Sequence, residues 1–313
     1  MTPAHIELRG SFFMALEATK SKFVIKRGLP IKVISAGHYL ELRNADHMNW
    51  QQVIKKLSKK EYVVLSTGEI KKFQNKAVTR LDNTVKMRQT FNELRYLINA
   101  NFFGKQNELW VTLTYKENMI DPKILSDDFK KFMKNLNYKI FHSRQNNLDY
   151  IMVPEPQGRG AWHAHVLIKR RDEKKFFIQN KLLAEIWGHG FVKVNRIQNS
   201  DNVGLYLTAY LGDLPLADAK KMNYKIEKES IKEVKVDGEN KKFVKGARLV
   251  LYPAGMKYYR TSRGLTQPKK WYDTKKEMDI EPRFVREHEI EIDEFKNHFR
   301  EEQYNLLDRK KLH

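Results

Sequence analysis

The chain has 313 residues, 41% of them hydrophobic, with 59 Lys and Arg against 38 Asp and Glu and no cysteine. That length and apolar content allow a sizeable core in one large domain or two and exclude a disordered chain. Without cysteine, disulfides and thiolate metal sites are excluded, so a bound metal must use histidine, carboxylate and water, the ligands of harder cations.

No apolar run approaches the ~18 residues of a membrane span. The opening MTPAHIELRGSFFMALEATK is broken by Glu7, Arg9 and Glu17, unlike a secretory leader, so the expected location is the cytoplasm. The formal charge of +21 is uneven: residues 276–313 carry 11 acidic and 8 basic side chains, leaving +24 on the first 275. Such an excess favours a polyanionic partner, because each neutralised phosphate releases condensed counterions. Charge kept for solubility is the plainer explanation, and an anionic membrane a weaker one.

Residues 1–80 read as β-rich: KFVIKR, IKVISAG, YLELR and EYVVLSTGEIKKF are short β-branched runs separated by Gly, Pro and Asn. No chemistry is assigned there. A second region, 81–215, opens with a helix in RLDNTVKMRQTFNELRYLINANF, where Val85, Phe91, Leu94, Leu97 and Ile98 recur at near-helical spacing before Gly104. LWVTLTY is then a strand and SDDFKKFMKNLNYK a helix with Ser126 as its cap. DYIMVPEP and WHAHVLIKR form a hairpin around Gly158-Arg159-Gly160. NKLLAEIWG is helical, GFVKVNRI extended and NVGLYLTAYLGD helical. The order predicts an α+β domain, an antiparallel sheet with helices packed on it.

The hairpin carries His163 and His165 one residue apart, hence on one face of a strand. With the turn centred on Arg159, Glu155 falls opposite His163 and Val153 opposite His165, and directly opposed residues share a face. Two imidazoles and a carboxylate on one patch suit a divalent ion with open positions, able to polarise a phosphate. A bare His-x-His is more often a pair of satisfied histidines, and Pro154 and Pro156 each lack a ladder donor that could fix the register. The carboxylate across a Gly-rich turn in a basic chain favours the metal. Tyr206 and Tyr210, four apart, share one helical face. They suit either an amphipathic core stripe or a pair of nucleophiles, and a phenol of pKa ~10 needs a base or a polarised phosphate to attack.

A third region, 216–275, begins with a charged segment expected to be a solvated helix and a hairpin turning at Asp237-Gly238. It continues with ARLVLYPAGMKYYRTSRGLTQPKKW, where Tyr252, Tyr258, Tyr259 and Trp271 interleave with Lys257, Arg260, Arg263, Lys269 and Lys270. Lys257, Arg260, Arg263, Tyr258 and Tyr259 are candidate DNA contacts, cations for phosphates and rings for unpaired bases, though an ordinary strand with a basic surface fits equally. The acidic tail, 276–313, is expected to be a peripheral helix or a protein-contact arm.

WVTLTY, EPQGRGAWHAHVLI, WGHGFVKV and VGLYLTAYL, in this order, resemble the HUH endonucleases, specifically the rolling-circle replication initiators of plasmids, phages and related mobile elements. The resemblance covers about residues 105–215. It implies a central antiparallel sheet with flanking helices, ferredoxin- or RRM-like. His163 and His165 match the paired metal ligands, Glu155 the third ligand, Thr112 and Thr114 a first motif beside the active site, and Tyr206 and Tyr210 the tyrosine motif. Mg²⁺ or Mn²⁺ is the implied cofactor, and single-stranded or cruciform origin DNA the implied partner, with a host helicase and polymerase. No ATP site is expected, since no Gly-x-x-x-x-Gly-Lys-Ser/Thr segment occurs, and no membrane partner.

One departure stands out: relatives carry a lysine three residues after a catalytic tyrosine, where this chain has Ala209 and Asp213. Lys193 or Lys220 would then substitute, or none is needed, and Tyr210 is favoured over Tyr206 as nucleophile. A conjugative relaxase or a transposase would share the chemistry. An inactive DNA- or RNA-binding regulator on the same type of sheet is the alternative from another class.

Overall fold

A computed structural model describes residues 24–48, 53–58, 60–73, 84–197, 212–236, 239–253, 256–292 and 295–311. In chain order the elements are β1 (Pro30–Ala36), β2 (Tyr39–Ala45), β3 (Ile54–Lys56), β4 (Glu61–Val64), β5 (Ile70–Lys72), α1 (Thr84–Asn99), β6 (Glu108–Thr114), α2 (Pro122–Phe141), β7 (Leu148–Pro156), β8 (Trp162–Arg170), α3 (Asn180–Trp187) and β9 (Val192–Asn195). There follow β10 (Leu214–Pro215), α4 (Leu216–Lys221), β11 (Ile231–Val236), β12 (Glu239–Val244), β13 (Arg260–Thr261), β14 (Lys269–Thr274), β15 (Phe284–Ile292) and β16 (Phe295–Asn305). The architecture is α+β with antiparallel sheets. Two compact units are formed, one from residues between Thr79 and Gln267, the other from Leu16–Val78 with Pro268–His313. Among the described residues no helix is long and apolar enough to cross a membrane.

The unit between Thr79 and Gln267 is built on a five-stranded sheet in the order β13-β7-β8-β6-β9. Alternation along its strands sends Val111, Leu113, Ala164, Val166 and Ile168 to one face, each at most 1% exposed. Helix α2 packs there, with the Phe129 ring edge-on to Tyr150, which pairs with Ile168. Helix α2 begins at Asp121-Pro122: the Asp121 carboxylate accepts the Lys123 N–H at 2.7 Å, and proline brings the backbone angle of a first turn. Ser126, expected as the cap, lies one turn inside and donates its hydroxyl to the Pro122 carbonyl at 3.0 Å. Helix α3 ends at Gly188, whose φ of 71° is left-handed. In the charged segment after α4, β11 and β12 pair from Ile231↔Val244 to Val236↔Glu239, the hairpin expected around Asp237-Gly238.

In the other unit, a five-stranded sheet runs β14-β1-β2-β16-β15, so the tail shares a sheet with the strands near the N-terminus. The tail is not a peripheral helix: Phe284–Ile292 and Phe295–Asn305 are two long paired strands. Its REHEIEI run alternates with period 2, which is strand patterning, and the density of Glu obscured it. Nor is KFVIKR a strand, since Val24–Arg27 carry no strand assignment and Ile25 is instead a core residue with Ile31, Val33, Leu42, Ile280 and Tyr304. A separate three-stranded sheet has the order β3-β4-β5.

Candidate active site

The β7–β8 register is the one that the Gly-rich turn predicts: Glu155 lies opposite His163, and Val153 opposite His165. The turn is closed by the Gln157 N–H to the Ala161 carbonyl at 2.7 Å and by the Gly160 N–H to the Gln157 carbonyl at 2.9 Å, with Gly160 at φ 85°. Pro154 and Pro156 do not disturb the pairing, because their carbonyls point away from β8. Pro154 accepts the Tyr252 hydroxyl at 3.0 Å and Pro156 accepts Arg248 Nη1 at 2.7 Å. Prolines facing an outer edge leave the ladder intact.

On the other side of β8, Thr114 lies opposite His163 and Thr112 opposite His165. Beyond them, Thr112 pairs with Lys193 and the Thr114 N–H donates to the Phe191 carbonyl at 2.9 Å. Two rows therefore cross the sheet on one face: Phe191, Thr114, His163, Glu155, and Lys193, Thr112, His165, Val153. The face is closed at one side and open at the other. Ile151, Val153 and Leu167 are buried, and Lys169 donates to Asn101 Oδ1 at 3.1 Å just past α1. Trp110, Thr112 and Thr114 are half-buried, and Phe191, Lys193 and Asn195 are exposed.

Phe191 is 71% exposed, yet its backbone is fixed. The Lys116 N–H donates to the His189 carbonyl at 2.8 Å, and at Gly190 a Cβ would come within 2.4 Å of the Lys116 nitrogen, so only glycine lets the loop approach β6.

The polar cluster is tightly connected. The Glu155 carboxylate bonds to His165 Nε2 with one oxygen and to Arg248 Nη1, at 2.5 Å, with the other. Thr112 Oγ1 lies 3.3 Å from His165 Nδ1, and Gln157 Nε2 lies 3.4 Å from His163 Nδ1. His163 Nε2 is buried and has no hydrogen-bond partner. Burial pushes the Glu155 carboxyl up, but the Arg248 guanidinium, His165 and His163 outweigh it and hold the pKa at about 2. Burial holds His163 below the usual imidazole range, helped by His165, Arg159 and Arg248 and opposed by Glu155.

An ionised carboxylate, a neutral imidazole and an orphaned ring nitrogen aimed into the cluster fit a divalent cation held by two nitrogens and one oxygen. Among the described residues no three His, Asp or Glu side chains already stand as a cation cage. Here Glu155 is engaged by His165 and Arg248 and would exchange these bonds for an ion.

Arg248, from the short 3-10 turn Ala247–Leu251, is 5% exposed and was invisible in the sequence. Its Nε donates to the Asp213 carbonyl at 2.9 Å, so one guanidinium ties Glu155 and Pro156 to the residue that follows the tyrosine segment. Asp213 itself is ion-paired with Lys232 and accepts the Gly246 N–H at 3.1 Å. The available signal was a lone arginine inside the apolar run ARLVLY. Tyr206 and Tyr210 lie outside the described residues. Of the two candidate substitute lysines, Lys193 stands on the histidine face, whereas Lys220 is an exposed residue of α4.

The expected DNA-contacting segment is divided. Tyr258 is 4% exposed and packs between Phe91 and Tyr252, with ring centroids 5.3 and 5.0 Å away, so it is a core ring. Tyr259 is half-buried, Lys257 and Arg263 are exposed, and Arg260 sits in β13 opposite Met152. Met152 belongs to the α2 face, so Arg260 lies on the side away from the histidines.

An antiparallel sheet with paired histidines, a facing carboxylate and an open, partly basic flank defines a candidate phosphodiester site. Residues 108–214, from the first residue of β6 to the start of β10, match the family model described as replication-associated protein ORF2. This match supports a replication-initiator role and DNA as the partner. No curated protein and no solved structure matches the chain.

Proposed function

We propose that the chain is a rolling-circle replication initiator of the HUH type, a site-specific endonuclease and ligase acting on single-stranded origin DNA. The observation that carries this reading is the meeting of Glu155, His163 and His165 on one sheet face, with His163 Nε2 buried and unpartnered. Glu155, His163 and His165 would hold Mg²⁺ or Mn²⁺, which when bound polarises a phosphate oxygen as a Lewis acid. Thr112 and Gln157 orient the two imidazoles through their Nδ1 atoms, leaving Nε2 for ligation. Arg248 keeps Glu155 ionised.

The phenol of Tyr210, or of Tyr206, attacks the scissile phosphorus. A phosphotyrosine P–O bond forms, the P–O3′ bond breaks, and the phenolic proton ends on the departing 3′ oxygen. The free 3′-OH primes a host polymerase behind a host helicase, and the reverse attack reseals the strand. The phosphotyrosine retains the phosphodiester energy, so no ATP is consumed. The incoming strand crosses the open side of the face, over Trp110, Phe191 and Lys193, where rings stack on bases and the ammonium meets phosphate.

The test is cleavage of a single-stranded oligonucleotide bearing the element's own origin, with adduct mapping by mass spectrometry. Cleavage that requires Mg²⁺ or Mn²⁺, with DNA attached at Tyr210 or Tyr206, supports the proposal. Full cleavage in excess chelator sinks the metal assignment, attachment at neither tyrosine sinks the nucleophile, and specific binding with no cleavage leaves a regulator.

A further inference from the structure

The sheet β3-β4-β5 takes no part in the proposed cleavage, and its composition calls for a ligand of its own. β3 and β5 are exposed along their whole length and β4 is half-buried. The register sets Tyr62 between Lys56 and Lys71 on one face. The Phe73 ring stands on Tyr62 with centroids 4.8 Å apart, and Lys56 Nζ lies 6.0 Å from the Phe73 centroid. Ile54, Tyr62, Lys71, Lys72 and Phe73 line an open groove. Ile54 and Ile70 keep 42% and 64% of their surface in water, and a three-stranded sheet that short gains little stability from so wet an apolar face.

Charge identifies the occupant. Residues 53–73 hold six lysines and two glutamates, a net +4 in 21 residues, against +21 over all 313. One lysine, Lys71, is offset by Glu69 at 2.9 Å. A duplex would use the cations and leave the rings idle, whereas an unpaired strand uses both, bases against Tyr62 and Phe73 and phosphates along the lysine rim. We propose that this face is a second binding site for single-stranded DNA, separate from the histidine site. It rests on the reading that DNA is the chain's polyanion, but not on any step of cleavage.

The experiment uses the full chain and two variants, one with Lys56→Gln, Lys71→Gln and Lys72→Gln together, the other with Tyr62→Leu, which keeps apolar bulk and removes the ring. Affinity for a long oligothymidylate is measured against salt, beside affinity for a duplex of equal length and cleavage of a short origin oligonucleotide. The triple variant should bind the long strand roughly tenfold more weakly, with a salt slope reduced by about 2, near 0.7 for each phosphate no longer neutralised. Tyr62→Leu should weaken single-strand binding severalfold and leave duplex binding unchanged. Unaltered affinity and slope in the triple variant would overturn the proposal, and so would equal losses on duplex and single strand in Tyr62→Leu. Cleavage of the short oligonucleotide reads the nicking mechanism alone, so its loss in the wild type would sink that mechanism while the long-strand comparison still decides this site.

Discussion

Each unit of the molecule buries one cluster of charged and polar side chains on a five-stranded sheet, and the two clusters are finished differently. In the unit that contains the tail, Lys275 Nζ bonds to Glu302 and, at 2.7 Å, to the Tyr304 hydroxyl, which donates to Glu302 at 2.6 Å, while the Ile25 N–H takes the other Glu302 oxygen. These three side chains are at most 5% exposed, and their polar groups close on one another. In the other unit, Glu155 is equally well paired, yet His163 Nε2 is left over and the sheet face opens toward Phe191 and Lys193. A sealed cluster specifies a fold; a cluster with a spare ligand atom beside an open flank can act on something. Burial and perturbed titration are common to both and do not separate them.

The largest effect should come from removing the spare ligand. His163→Ala should reduce cleavage about a thousandfold, the scale of several kcal/mol of transition-state stabilisation, while the melting temperature stays near that of the wild type. Unchanged cleavage would place the chemistry elsewhere. The sealed cluster should respond in the opposite sense. Glu302→Gln leaves the Lys275 ammonium buried without its counter-charge, and chemical denaturation should show a loss of about 3–5 kcal/mol. A loss below about 1 kcal/mol would mean that water reaches the cluster.

Opening or shielding the flank is a smaller test. Phe191→Ala should cost about 1–3 kcal/mol in single-strand affinity, the range for one stacked base, without altering metal dependence. Gly190→Ala should act in the same direction by displacing the loop from Lys116.

The smallest effect concerns acid stability. Burial would raise Asp149, but Arg171 and Ser262 hold it below the usual carboxylate range. Its pairing therefore stabilises the fold above the unfolded carboxyl pKa of ~3.9 and loses that contribution as pH falls below it. Asp149→Asn should destabilise by about 1.5–3 kcal/mol at neutral pH, the value of hydrogen bonds to a charged group. Toward pH ~3 its unfolding curve should converge on that of the wild type, and parallel curves would assign the acid response to other groups.

What could be read from the chain was whatever local spacing controls. Gly158-Arg159-Gly160 fixes a turn centre, and a turn centre fixes every pairing along β7 and β8, so the facing of Glu155 and His163 was legible. Buried Phe91, Leu94, Leu97 and Ile98 of α1 followed from their spacing in the same way. Start signals were misread where two competed, and Asp121-Pro122 outranked Ser126. The tail's period-2 pattern was legible in principle but masked by its charge. Tertiary partners were not legible: Arg248 reaches Pro156 across 92 residues, and nothing local marks it. Tyr258 and Arg260 look alike in a basic, aromatic run, and only the packing against Phe91 and the pairing with Met152 show one ring in the core and one cation on the far face.

The contrast between the two clusters is tested most directly by titrating the full chain with Mn²⁺ in the absence of DNA, followed by calorimetry. The account predicts one ion bound per chain, with affinity lowered at least about tenfold, the scale seen when even a supporting group is lost, in His163→Ala and unchanged in Glu302→Gln. Binding of equal strength in His163→Ala would contradict it.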